Sequence, residues 1–242
     1  MIIYNSSEVK ILRMIKWKIF KQGVFEELPL QLGVFPFGII YGVMAIETGL
    51  SPLQAFLMSS IIFGGASQIV FLQLLSSGST MGIIVTSVGA INSRHFLYSL
   101  SMLEFLKSLS LKWRILLGYL LTDEAYAVSI RKFMNEPNKQ FIHFHLLGSG
   151  ITLFLSWQLS TLTGIFLGGD LPEFLDLQFI IPLTFIAIVI PMIKSISTLF
   201  VVISSGFAAL ICKNLDINFW IILAACVGII SGVLTSKMDK KS

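Results

Sequence analysis

Apolar residues gather into eight runs along the chain, at roughly 28–48, 54–76, 81–103, 114–131, 142–168, 176–193, 197–212 and 218–236. A membrane-crossing helix needs about 20 consecutive, mainly apolar residues. The pattern therefore predicts an all-α polytopic membrane protein: a bundle of about eight hydrophobic segments, some broken or short. The sixth and seventh runs are short, and are expected as half-helices, tilted pieces or one broken element. No polar connection is longer than about ten residues, so no soluble domain fits between the runs.

Several runs are interrupted. The first carries Pro29, Gly33, Pro36, Gly38 and Gly42. Pro36 removes a helical hydrogen bond, and Gly38 with Gly42 forms a small-xxx-small pair suited to close helix packing. The second run holds Gly64, Gly65, Ala66, Ser67 and Gln68 at mid-membrane. Irregular backbone at that depth is tolerated only where protein or a cavity covers it. Transporters often break helices at the midplane to expose backbone groups to a solute. Packing and a binding site are equally good readings of this block.

Composition sharpens the assignment. The chain has 242 residues, 55% hydrophobic and only 12% charged, with mean hydropathy +0.86. A soluble domain carries about 25% charged residues. The net charge of +4 is modest and the positives cluster outside the runs, which reads as topology and not as a nucleic-acid footprint. With both termini in the cytoplasm, 12 of the 17 lysines and arginines fall on the inner side, four on the outer side, and Arg94 lies inside a run. The loop 104–114, with Lys107, Lys112 and Arg114 outside, dissents. Residues 1–26 hold Lys10, Arg13, Lys16, Lys18 and Lys21 among helically spaced apolar positions. They are expected as a basic amphipathic segment on the cytoplasmic face, followed by a transmembrane domain over 27–236 and a short cytoplasmic tail at 237–242. Cys212 and Cys226 lie in apolar runs with no pairing motif.

The chemistry concentrates in two runs. In the third, Asn92, His95 and Ser99 share a helical face, and Arg94, Tyr98 and Ser101 form the adjacent one. An arginine at membrane depth costs several kcal/mol unless partnered or solvated. The fourth run contains Thr122, Asp123 and Glu124, whose carboxylates are expected to be the only acids well inside an apolar run. Pairing Arg94 with Asp123 or Glu124 is the cheapest arrangement. One acid is then left over, to be protonated, solvated or paired with His95. A buried group that titrates can load and release a proton during a transport cycle. Carbonyls at 64–66 offer a sodium site as the rival. A fixed structural ion pair is the competing account of Arg94 and Asp123. No metalloprotease, phosphate-loop or nucleophile-elbow motif occurs, so no enzyme is expected. His143 and His145 lie at the start of a run and read as interfacial; no metal site and no cofactor are expected.

These blocks together resemble the AzlC family, the large subunit of bacterial branched-chain amino-acid exporters, over about residues 22–236. The resemblance rests on LPLQLGVFPFGIIYG (28–42), GLSPLQAFLMSSIIFGGASQ (49–68), INSRHFLYSLSM (91–102), LLTDEAYA (120–127), SWQLSTLTGIFLG (156–168) and LDLQFIIPLTFIAIVIP (175–191). Asn92, Arg94 and His95 match the family's N-x-R-H motif, and Thr122, Asp123 and Glu124 its T-D-E motif; Ser93 and Phe96 depart from the aliphatic residues expected there. The resemblance implies a secondary transporter in the bacterial cytoplasmic membrane. Its expected substrates are valine, leucine, isoleucine and analogues, and its expected partner is a small hydrophobic subunit of the AzlD type. The residues agree with that expectation. A zwitterion needs an anion site and a cation site a few ångströms apart, which Arg94 and Asp123 or Glu124 can supply, with Ser67 and Gln68 adding backbone and amide groups. Another small amino acid, an imidazole-like solute, or a non-transporting scaffold subunit are the alternatives.

Overall fold

The computed structural model describes residues 6–136, 140–168, 195–215 and 219–236, with Ile190, Ile193 and Ile217. The described helices are α1 (Ser6–Glu27), α2 (Gln31–Glu47), α3 (Pro52–Ile62), α4 (Gly65–Ser76), α5 (Met81–Leu106), α6 (Leu111–Leu120), α7 (Asp123–Asn135), α8 (His143–Leu167), α9 (Ile196–Asn214) and α10 (Trp220–Thr235). The described residues contain no strand. The predicted run 176–193 and the predicted tail 237–242 lie outside the described residues, apart from Ile190 and Ile193.

Among the described residues the apolar runs correspond to helices, with informative differences at their breaks. One 3-10 turn, Leu28–Leu30, joins α1 to α2. The turn accepts Pro29 at its start, where a missing N–H is harmless. Pro36 was expected to interrupt the first run; α2 passes through it without ending. The second and fourth runs are each two short helices, α3 with α4 and α6 with α7, separated at 63–64 and 121–122. Ser51 starts α3 with a reciprocal cap: its hydroxyl accepts from the Gln54 N–H, and its own N–H donates to the Gln54 side chain. By length and hydropathy, Glu8–Glu47, His143–Leu167 and Ile196–Asn214 can each cross a membrane, while α3, α4 and α10 are shorter apolar helices. At 26 residues α5 is also long enough, but its polar centre dilutes its hydropathy.

The chain forms two compact units: residues 6–68 with 92–168, and residues 69–91 with the described part of 170–242. In the first, α8 is the hub, packed by α1, α2, α3, α6 and α7. Glycines make this possible. A Cβ on Gly148 would strike the Phe20 carbonyl of α1, and one on Gly164 would strike the Ile39 carbonyl of α2. In hydrocarbon, where apolar burial gives no drive between helices, such close backbone approach is a main source of association. Polar links supplement it: Ser59 and Thr161 share a hydrogen bond at 2.9 Å, and Gln158 donates to the Ser59 carbonyl at 3.3 Å.

The second unit contains the α9–α10 hairpin. It closes through Gly228 and Gly232 against Ser205 and Val201, and through a 3.0 Å hydrogen bond between Ser197 and Thr235. Its outer positions, among them Phe207, Ile229 and Leu234, are exposed and apolar, as a lipid- or protein-facing membrane surface requires.

The α8 contacts yield the first prediction. Gly148→Leu and Gly164→Leu force two backbones apart, so each is expected to cost at least about 1–3 kcal/mol. The thermal midpoint of detergent-purified protein should fall for both. Gly206→Leu, which meets nothing within 4 Å, should leave it unchanged. Equal midpoints for all three variants would contradict glycine-mediated packing.

Candidate functional site

Two helix breaks meet a polar stretch of α5. The first break begins where α3 ends on Phe63, held in the left-handed region at φ 36° and ψ 56°. That conformation costs a residue with a Cβ about 1–2 kcal/mol. The Phe63 ring is buried and packs on Tyr119 and Phe154, with centroids 5.8 and 5.2 Å away, which offsets the strain. The Gly64 carbonyl then accepts from the Ser67 hydroxyl at 2.7 Å and from the Gln68 N–H at 3.0 Å. The second break is Leu121–Thr122, with Thr122 extended at φ −96° and ψ −178° as the N-cap of α7. The Tyr119 hydroxyl donates to the Ser60 carbonyl, tying the end of α6 to the end of α3.

From α5, Arg94 Nη1 lies 2.6 Å from Asp123 Oδ2, and the Tyr98 hydroxyl donates to Asp123 Oδ1 at 2.5 Å. The pair that charge economy favours is therefore present, and Asp123 is the acid chosen. Asp123 also sits in the first turn of α7, where the positive end of the helix dipole stabilises a carboxylate. His95 takes no acid: its Nδ1–H donates to the Leu121 carbonyl at 3.1 Å, satisfying the backbone of the break. Tyr126 stacks on Tyr98 at 4.6 Å and shares a hydrogen bond with Ser101. About a third of each side chain in the Arg94–Asp123 pair is accessible in the isolated chain. In water such a pair contributes about 1 kcal/mol or less; in a membrane, stripping one charge of its partner costs more.

Several buried polar atoms around the breaks have no hydrogen-bond partner. Both amide atoms of the fully buried Gln68, Asn92 Oδ1, Arg94 Nε, Thr122 Oγ1 and Trp157 Nε1 are in this state. The Gln68 amide lies beside the Tyr41 hydroxyl, and the Thr122 hydroxyl beside the Glu124 carboxyl, each short of hydrogen-bonding geometry. A Cβ on Gly64 would come within 2.8 Å of Ser67 Oγ and 3.3 Å of Asn92 Oδ1; one on Gly65 would come within 2.7 Å of Trp157. The absence of side chains at 64 and 65 thus lets α5 and α8 approach the break. Buried unpaired polar atoms are rare in folded proteins, and a group of them around two helix termini has the character of a site for a polar ligand.

Ser67, Gln68, Asn92, Arg94, His95, Thr122, Asp123 and Glu124 all lie at these breaks or on the facing turns of α5. Pro36 and Gly38 lie elsewhere, on α2, where Gly38 packs against Ser160 and Trp157 of α8. Sequence reasoning missed Tyr98 as a ligand of Asp123, and missed Tyr119 and Trp157 altogether. It also missed Glu27, which stands one residue before the first run and is fully buried. His145, expected at the interface, is fully buried too. The available signals were Gln31 four residues after Glu27 and Ser149 four after His145, spacings that put polar partners on one helical face. Among the described residues, no group of histidine, cysteine and acidic side chains could hold a metal ion.

The family model described as AzlC protein matches residues 29–171, a range that contains both breaks and the polar centre of α5. The chain is 29% identical over 224 residues to the inner membrane protein YgaZ of Escherichia coli (strain K12), covering 90% of this chain and 89% of that protein. It is 28% identical over 228 residues to an uncharacterized membrane protein of Archaeoglobus fulgidus, covering 93% and 97%. It is 26% identical over 114 residues to the branched-chain amino acid transport protein AzlC of Bacillus subtilis (strain 168), covering 47% and 44%. No solved structure matches the chain.

The ion pair gives the second prediction. Arg94→Gln alone should lower the thermal midpoint by stranding Asp123, whereas Arg94→Gln with Asp123→Asn should recover most of the loss. The expected coupling energy is about 1–3 kcal/mol. A double variant whose loss equals the sum of the two single losses would show that the pair contributes nothing to the fold.

Proposed function

The chain belongs to the AzlC family, and from that premise we propose that it is a secondary active transporter subunit that exports branched-chain amino acids. In this reading it sits in the cytoplasmic membrane of a bacterium with both termini inside, exchanges valine, leucine or isoleucine for protons, and works with a small hydrophobic AzlD-type subunit. It performs no covalent chemistry. The observation that carries the reading is the pair of broken helices, with partnerless buried polar atoms around them and a charged pair beside them.

A zwitterionic amino acid suits that arrangement. Its carboxylate can replace Asp123 on Arg94, whose Nε is a free donor, while its ammonium replaces Arg94 on Asp123 or takes Glu124. One internal ion pair is exchanged for two with the solute, so net charge stays balanced as the site opens and closes. The Gln68 amide, Asn92, Thr122 and the hydroxyl of Ser67 supply neutral hydrogen bonds, and His95 holds the second break in shape. Apolar walls then reward a branched side chain by about 0.8 kcal/mol per buried CH₂, enough to discriminate valine from alanine. The partner subunit would cover the accessible third of the Arg94–Asp123 pair, which lipid cannot.

The test is counterflow in proteoliposomes, with and without the partner, across a panel of labelled amino acids. Valine, leucine and isoleucine should exchange; alanine and lysine should not. In sodium-free vesicles, a pH gradient with the acid side equivalent to the cell exterior should drive valine against its own gradient. Exchange confined to unbranched amino acids would overturn the substrate class, and accumulation that follows sodium and ignores pH would overturn the proton. Full valine transport by the chain alone would overturn the need for a partner.

A further inference from the structure

A second buried polar centre lies in the same compact unit and shares no residue with the Arg94–Asp123 pair. Glu27 ends α1 and is fully buried. Its Oε2 accepts from the Ser149 hydroxyl at 2.7 Å and its Oε1 from the Gln31 amide at 3.0 Å. Both donors are neutral. Among the described residues, no lysine or arginine forms an ion pair with Glu27. One turn earlier on α8, the fully buried His145 sits 3.0 Å from Glu26 through Nε2 and 3.3 Å from Ser129 through Nδ1. Glu26 also accepts from Gln22 at 2.7 Å, and its side chain is 43% accessible. The α1–α8 contact seals the centre: a Cβ on Gly23 would strike the His145 carbonyl, as one on Gly148 would strike Phe20.

The groups of this centre come from every element packed around it. Gln31 of α2 and Ser149 of α8 hold Glu27, Glu26 of α1 and Ser129 of α7 hold His145, and Glu124 and Lys132 of α7 act on Glu27 and His145 respectively through charge. Lys132 is engaged with Glu136 at 2.6 Å. The Glu124 carboxyl is near enough to act on Glu27 as a like charge. Glu26 and Glu27 are chain neighbours, Glu124 acts on Glu27 through charge, and the base among them is His145, held by Glu26 and Ser129.

The geometry accommodates Glu27 in either protonation state. As a carboxylate it accepts from Ser149 and Gln31. As a carboxylic acid it needs an acceptor, and Gln31 Oε1 is buried without a partner. A half-turn of the Gln31 amide brings that oxygen to the position its nitrogen now holds, so the new O–H donates where the carboxylate accepted. The same two side chains thus serve both states without opening the helix contact.

We propose that Glu27 carries the coupling proton, with Glu26 and His145 as its connection to water, and that Glu124 links this site to the amino-acid site at the second helix break. The proposal rests on the reading of the chain as a proton-coupled exporter. The step it adds is balanced: one proton from water forms one O–H bond on the Glu27 carboxylate and is lost to water on the other side, with no redox change.

The experiment uses the full chain with its partner in proteoliposomes. Glu27→Gln should keep valine-for-valine counterflow near the wild-type rate while losing pH-driven valine accumulation by at least about tenfold. Ser149→Ala should shift the pH profile of driven transport and spare counterflow. A Glu27→Gln protein that still accumulates valine on a pH gradient overturns the proposal, as does a Glu124→Gln protein whose pH-driven accumulation is unchanged. Dicyclohexylcarbodiimide, which modifies protonated carboxyl groups in apolar surroundings, gives an independent readout by mass spectrometry of the wild-type protein. Label on Glu27 that declines as pH rises supports the site; absence of label there overturns it. The labelling result stands even where wild-type counterflow fails, which would sink the transport reading by itself, and where Glu27→Gln does not fold.

Discussion

Backbone hydrogen-bonding groups inside hydrocarbon must find partners within the protein, and the architecture of the first unit follows from how it meets that demand at two places. At Phe63–Gly64 the freed carbonyl is taken by Ser67 and by the next helix. At Leu121–Thr122 it is taken by His95 from α5. Tyr119 joins the end of one broken helix to the end of the other. The first break is closed by the helix that follows it, and the second by a side chain of α5, which fixes where α5 must lie. Arg94 and Asp123 are brought within 2.6 Å because their helices are already held there.

The apolar runs were legible because length and hydropathy alone identify a segment that belongs in a bilayer. The pairing of Arg94 with an acid was legible too, since an isolated arginine at that depth is too costly to leave alone. The sequence did not say which acid, because Asp123 and Glu124 are neighbours, and the choice depends on where the first turn of α7 points. The break at 64–68 was visible through its two glycines, one residue from where the helix ends. The break at 121–122 was not, since neither leucine nor threonine forbids a helix. Pro36 misled in the opposite sense, because α2 tolerates it. Glu27 and His145 were missed for a shared reason. Each stands at the edge of an apolar run, and the edge of a run does not mark the edge of the membrane. The continuous helical path from α1 into α2, packed tightly on α8, moves that edge into the interior.

Two polar centres in one helical unit give a physical basis for the proposed exchange. The site at the breaks is built of charges that can re-pair with a zwitterion, together with neutral groups short of a partner. The site at Glu27 is built of carboxyls, amide, hydroxyl and imidazole, all of which can donate and accept in turn. Asp123 and Glu124 begin the same helix, one committed to Arg94 and the other within electrostatic reach of Glu27. A shift of α7 that releases Asp123 to a substrate also moves the Glu124 carboxyl relative to Glu27. Coupling requires no more than such a shared element with two arrangements.

The central claim is that the Arg94–Asp123 pair and the partnerless polar atoms around the two breaks together receive the head group of an amino acid, and equilibrium binding tests it most directly. Labelled valine should bind saturably to purified protein in a scintillation proximity assay. Gln68→Leu should weaken that binding by at least about tenfold, the loss expected when a buried hydrogen-bonding group is removed from a polar ligand, while Gln73→Leu, farther along the same helix, should leave it unchanged. Undiminished valine affinity in Gln68→Leu, with the protein folded, would contradict the account.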